Sequence, residues 1–301
     1  MEDYQSRFAD VNGQRLHYIS VGQGDLIIFV HGLPEFWREW DNQLEEFGRD
    51  HQAVALDMRG YNLSSKPAEV EAYHAKHLVE DLRGLAEHLG HQKFTLVAHD
   101  WGGAVAWSTA MRYPERVAKL VIINSPHPAV FARELLNNPA QQAASQYMLL
   151  FRSAKAEQIL AENNYTRLLE MVTQFGSMWD MAEDVRLKYR KAWSQPGALT
   201  GGLNYYRASP LYPPTSPEDE AKIKGILDLP PRGIHGAVGL CRSDLCVRVC
   251  LGQAAVYQPG YHSGTGFQLF TAANIGISAC QRDLLFWRET GCPATAGSGF
   301  G

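Results

Sequence analysis

Phe94-Thr95-Leu96-Val97-Ala98-His99-Asp100-Trp101-Gly102-Gly103-Ala104 is the stretch that decides the architecture of this chain. Its first five residues read as a strand, and the small residues from Gly102 open a helix that runs to Tyr113 and is closed by Pro114. A strand that turns so abruptly into a helix needs small side chains two positions before and after the turn residue, because the two elements pack closely there. Ala98 and Gly102 meet that need around Asp100. Such an elbow usually carries serine. A carboxylate is already charged at neutral pH and can displace a leaving group at a saturated carbon, leaving an ester on the enzyme. Asp100 therefore predicts a substrate with an sp3 electrophilic carbon, such as an epoxide or an alkyl halide. The simpler assignment, Asp100 as a helix N-cap, leaves the flanking small residues unexplained.

Working outward, Leu16 to Val21 and Asp25 to Val30 read as strands around Gly22-Gln23-Gly24, Gln52 to Leu56 as a short strand, and Val117 to Ile123 as a fully apolar, buried strand. His77 to Leu89 is a helix, with Leu78, Leu82, Leu85 and Leu89 on one face and Gly90 as its stop. Strands alternating with helices predict an α/β fold with a mostly parallel sheet covered on both faces. Strand signals vanish between Pro128 and Pro213, where Ala140 to Phe151, Ala154 to Asn163, Tyr165 to Phe175 and Ala182 to Ser194 read as helices. Residues 1–127 are thus expected to be the first part of the core, 128–215 an inserted helical cap, and 216–301 the last part of the core. Ser209 to Pro217 is the proline-rich return.

The totals exclude several classes. The chain has 301 residues and a net charge of -4, with no basic run to suit a nucleic acid and no long apolar stretch to span a membrane. The polar, acidic start does not read as a signal peptide, so a cytoplasmic protein is expected. All five cysteines lie at or after Cys241, in spacings that suit neither a disulfide framework nor zinc, and no metal is expected.

A turn after the strand ending at Val30 should supply the second half of an anion hole. His31-Gly32-Leu33-Pro34-Glu35-Phe36-Trp37 sits there. The backbone N–H groups of Leu33 and Trp101 are the expected donors to an oxyanion, and Leu33-Pro34 is a candidate cis bond. Phe36 and Trp101 are expected at the substrate pocket. His31 and His99 read as structural, and His127 as a residue that can edge the pocket.

Three motifs in order, His31-Gly32-Leu33-Pro34, Asp57-Met58-Arg59-Gly60-Tyr61 with Ser64 and Pro67, and His99-Asp100-Trp101-Gly102, resemble those of the α/β-hydrolase epoxide hydrolases over roughly residues 5 to 230. Asn62 stands where that family usually has glycine; asparagine tolerates a left-handed backbone better than most residues. The resemblance implies an α/β-hydrolase fold, no cofactor, a small apolar epoxide and water as reactants, and a vicinal diol as product. It also matches Tyr147 and Tyr206, by position, to the two cap tyrosines that hydrogen-bond the epoxide oxygen, with Tyr205 as packing. Haloalkane or haloacid dehalogenases share the scaffold, and an inactive remnant is a further alternative.

The resemblance calls for a histidine base and an acid after about residue 230, the acid following Trp-Gly. The tail offers only His262 and Asp244 as weak candidates, neither in the expected setting. Past Lys224 there is no lysine, and from Pro231 onward Glu289 is the sole glutamate. A shift of reading frame near Pro231 accounts for this composition: the codons of Arg232 to Gly236, moved by one base, can spell Glu-Ala-Phe-Thr-Val. It would remove the late strands and the closing helix.

Overall fold

The computed structural model describes residues 4–174, 181–227, 238–241, 246–249 and 254–257. Its centre is the parallel set predicted from the apolar runs: β3 (Leu26–Val30), β4 (Gln52–Leu56), β5 (Phe94–His99) and β6 (Val117–Ile123). β3 pairs with β4 on one side and β5 on the other, and β6 continues beyond β5, all in parallel register. Between them run α1 (Asp41–Phe47), α2 (Ala75–His88) and α3 (Asp100–Arg112). β3 has all five residues buried because both faces are covered. Ile27 and Phe29 join Trp40 and Leu44 in one cluster, while Leu26, Ile28 and Val30 join Leu96, Ala98 and Val105 in the other. The period of two along a strand separates the two cores.

The sheet begins with β1 (Ser6–Val11) and β2 (Gln14–Val21), an antiparallel hairpin turned by Asn12 and Gly13, both at positive φ. β1 carries no apolar alternation, since only Ala9 in it is buried, so its residues give no strand signal in the sequence. Asn-Gly is nevertheless a strong hairpin turn signal.

Between Pro128 and Leu227 the described residues form helices: α4 (Pro128–Asn137), α5 (Pro139–Ala144), α6 (Tyr147–Arg152), α7 (Ala156–Gln174), α8 (Glu183–Trp193), α9 (Ala198–Ala208) and α10 (Pro217–Leu227). The single helix expected over 140–151 is split, with Ser145 buried at the break and hydrogen-bonded by Gln141. The break expected near Asn164 is present, as Asn163, Asn164 and Tyr165 have positive φ inside α7. α4, α9 and α10 were not foreseen as helices. His127 caps α4, accepting from Ala129 N–H at 3.2 Å, and packs on Trp107, apart from the residues that line the cleft beside Leu33.

After residue 231 the sequence shows no clear strand, yet β7 (Val238–Cys241), β8 (Cys246–Val249) and β9 (Ala254–Tyr257) form an antiparallel meander. β9 docks parallel to β6, giving the order β1-β2-β4-β3-β5-β6-β9-β8-β7. Short runs containing valine suit strands, and the free edge of β6 supplies the ladder. Among the described residues, no helix is long and apolar enough to cross a membrane.

Candidate active site

The order β4-β3-β5 means that the chain leaves β3 toward one side of the sheet and later returns on the other. The loops after β3 and β5 therefore flank one crevice at the carboxyl edge, where open α/β sheets bind ligands. The loop after β3 holds Gly32 and Leu33, joined to Pro34 by a cis bond, and the turn after β5 is Asp100. Asp100 has φ +49, a left-handed conformation that an aspartate adopts only under constraint. The constraint is the tight strand-to-helix junction. At Gly102 a Cβ would lie 2.3 Å from the Val30 carbonyl oxygen, so α3 can approach β3 only without one. Asp100 is not a helix cap; that position falls to His99, and its side chain makes no capping bond.

The two expected N–H groups converge on the carboxylate. Leu33 N–H donates to Asp100 Oδ1 at 2.9 Å, and Trp101 N–H donates to the same carboxylate. Burial raises the Asp100 pKa, while His99 and these two donors act against the rise. Tyr147 and Tyr206, on α6 and α9, come together as the resemblance implied. Their rings are 6.1 Å apart and nearly perpendicular, and their side chains are hydrogen-bonded. Phe151 packs edge-on against both, at 5.4 and 5.0 Å. Burial, reinforced by the Asp100 charge, holds both phenols above the ordinary value, so they keep their protons at neutral pH. Tyr205 is packing: it is buried and donates to the Arg59 carbonyl at 2.9 Å.

An open cleft runs beside Leu33 and Pro34 to α7, α8 and α9. Phe36 lines it, with Leu160, Leu168, Trp193 and Leu203, and Tyr61, Asn62 and Glu35 add polar groups. Trp101 lies outside that lining. Its indole packs on Tyr205 and Tyr206 at 5.7 and 5.0 Å, which places it beneath the tyrosine pair.

The loop is fixed from behind by the second motif. Asp57 accepts from Trp37 N–H and Asn62 Nδ2, and pairs with buried His17 at 2.6 Å. Asn62 has φ +36, the backbone that glycine would take there. His31 accepts from Met58 N–H at 3.1 Å, a structural role as expected. Arg59 grips Asp81 with two bonds of 2.5 Å, both side chains buried.

Other groups at the site were not foreseen. Glu39 lies 2.6 Å from His99 Nδ1, both side chains buried. Burial opposes the His99 charge, but Glu39, Asp100 and Glu35 outweigh it and raise His99 to about 9. Glu35 accepts from the Tyr189 hydroxyl at 2.5 Å, and burial with Glu39 nearby raises its carboxyl to about 8. Trp193 Nε1 donates to the Pro34 carbonyl at 2.7 Å, so α8 holds the loop by two bonds. Glu35 sits within the quoted HGLPEFW stretch and was legible as a candidate. Glu39 and Tyr189 carried no local signal. Asp244 and His262 lie outside the described residues.

A sheet with a parallel centre and an elbow aspartate under two converging N–H groups is the arrangement of an α/β hydrolase. Residues 25–192 match the family model described as alpha/beta hydrolase fold, and the chain belongs to that family. Several of the relatives it resembles bear the name epoxide hydrolase. It is 36% identical over 214 residues to Epoxide hydrolase 2 of Caenorhabditis elegans, covering 69% of this chain and 60% of that protein. To Epoxide hydrolase 4 of Mus musculus it is 38% identical, covering 65% of this chain and 57% of that protein. The chain thus spans less than two thirds of the length of these relatives. A crystal structure of Bacillus megaterium epoxide hydrolase in complex with an inhibitor superposes with a TM-score of 0.65 at 41% identity, covering 71% of this chain and 74% of that one.

Proposed function

We propose that this chain opens an epoxide at Asp100. The observation that carries the reading is the pair of N–H groups, from Leu33 and Trp101, on the carboxylate, opposite two protonated phenols. The Asp100 oxygen not held by Leu33 attacks an epoxide carbon. The carbon–oxygen bond breaks, and the ring oxygen takes a proton from Tyr147 or Tyr206. The product of this step is a hydroxyalkyl ester of Asp100. Water then attacks the ester carbonyl, and the oxyanion that forms is held by the two N–H groups. Collapse of this intermediate releases the diol and restores the carboxylate, and the proton that the water gives up returns to the tyrosinate left by the first step. The tyrosine pair favours an epoxide over a halide, since an alkoxide leaving group needs a proton and a halide does not. The mainly apolar cleft beside Leu33 and Phe36 suits a hydrocarbon tail, although Asp100, Tyr147 and Tyr206 are not part of its lining.

The second half-reaction needs a base for the water. The change of composition after Lys224 supports a second reading, in which residues from about 231 come from a shifted frame and supply none. On that reading the ester forms and persists. One experiment separates these outcomes: the full chain is mixed with styrene oxide, quenched at intervals and weighed intact, with diol measured in the supernatant. A mass gain of one epoxide, mapped to Asp100 and absent in Asp100→Asn, is the expected result. Diol beyond one equivalent gives hydrolysis; a lasting adduct gives the second reading. Bromide release from 1-bromobutane without reaction of styrene oxide gives the dehalogenase alternative. No adduct and no diol refutes the proposal. The nucleotide sequence across codons 220 to 301, translated in all frames, tests the frame shift directly.

A further inference from the structure

The two tyrosines stand on different helices, and something must hold those helices in register. α6 begins with Tyr147 and ends with Arg152; α9 carries Tyr206 two residues before its end. A helix leaves its last carbonyls without internal partners. Here the deficit is sharper, because the residue four beyond Tyr206 is Pro210, which has no N–H to offer. Arg152 fills it. Its Nη1 donates to the Tyr206 carbonyl, to Arg207 O at 3.3 Å and to Ser209 O at 2.9 Å. Its cation lies at the negative end of α9. The guanidinium is also stacked 3.8 Å over the ring of Tyr212, whose hydroxyl donates to Asp219 at 2.6 Å.

The grip is reciprocal. Arg207 of α9 makes two bonds to Glu157, at 2.7 and 2.8 Å, and donates to the carbonyl of Ser153, just after α6. Each helix thus contributes an arginine that binds the end of the other. Between them Phe151, next to Arg152, packs edge-on against both tyrosine rings.

From this geometry we infer that Arg152 is a positioning residue for epoxide opening: by holding the carbonyl of Tyr206, it sets the phenol of Tyr206 beside that of Tyr147. The inference rests on the Asp100 reading above. It makes a demand that general stabilisation does not. If Arg152 acts through Tyr206, its removal must matter only while the Tyr206 hydroxyl is present.

The test is a double-mutant cycle on the full chain, reading the single-turnover rate of Asp100 ester formation from styrene oxide by intact mass. Arg152→Met should slow ester formation about tenfold, the effect of a fraction of an ångström at a reacting group. In the Tyr206→Phe background the same change should cost less than about twofold, and Arg152→Lys should restore most of the rate. If Arg152→Met does not fold, as judged by circular dichroism, Arg207→Met at the other end of the clamp takes its place with the same expectation. Equal losses in both backgrounds, or no loss in the unsubstituted background, overturn the clamp alone. An unsubstituted chain that forms no ester overturns the Asp100 reading and the clamp with it.

Discussion

Gly32→Ala isolates the geometry on which the chemistry depends. Gly32 packs directly on Asp100. A Cβ built there would lie 2.3 Å from Asp100 Cβ, 2.4 Å from Oδ1 and 2.7 Å from Cγ. Ordinary contact begins at 3.4 Å, so the carboxylate or the loop must retreat by about 1 Å. Asp100 cannot yield backward, because its backbone is pinned at φ +49 between β5 and α3. The loop cannot yield easily either, since Trp193 and Asp57 hold it through Pro34 O and Trp37 N. The retreat therefore falls on the 2.9 Å bond from Leu33 N–H to Oδ1. A displacement of that size at a reacting group costs on the order of a hundredfold in rate, and overpacking costs about 1–3 kcal/mol of stability. The assay is single-turnover ester formation with styrene oxide, alongside a urea melt. Ester formation within about threefold of the unsubstituted chain would mean that the carboxylate is not held as described, and would falsify the account of the anion hole.

Two further predictions concern stability. His99 in the folded chain titrates at about 9 rather than 6.5, so its protonated form contributes stability that is complete below about 6.5 and lost as pH rises through 9. Glu35, raised to about 8, bends the profile the same way between about 4.5 and 8. Glu39→Gln should lower the urea midpoint at pH 6 by the equivalent of about 3 kcal/mol and flatten its decline between pH 7 and 9; an unchanged slope counts against the ion pair. Arg59→Met should cost about 3–5 kcal/mol by stranding Asp81, and Arg59→Met with Asp81→Leu should recover a large part. If the double change is as damaging as the single one, the pairing is not what the site requires.

Much of this site could be read from one dimension because its parts are local. A strand's period, the small residues around Asp100 and the loop after β3 are each written within about ten residues. The parallel core therefore emerged where expected, with β4 and β6 at the predicted bounds. Tyr147 and Tyr206 were legible only through likeness to a family, since a tyrosine on a helix says nothing of what it faces. The hairpin strand β1 was missed because an edge strand with one buried residue has no apolar rhythm to detect.

The sequence by itself determined the fold class and the elbow that sets Asp100 under two N–H donors, because close packing at an elbow restricts residue size and those restrictions are local. Only the tertiary structure decided which buried charges meet. Glu39 reaches His99, Tyr189 reaches Glu35, and Arg152 reaches the end of α9. A buried charge must find a partner within hydrogen-bond reach, but the chain does not encode that partner at any fixed spacing. The partner is set by which elements share a volume once the sheet has formed.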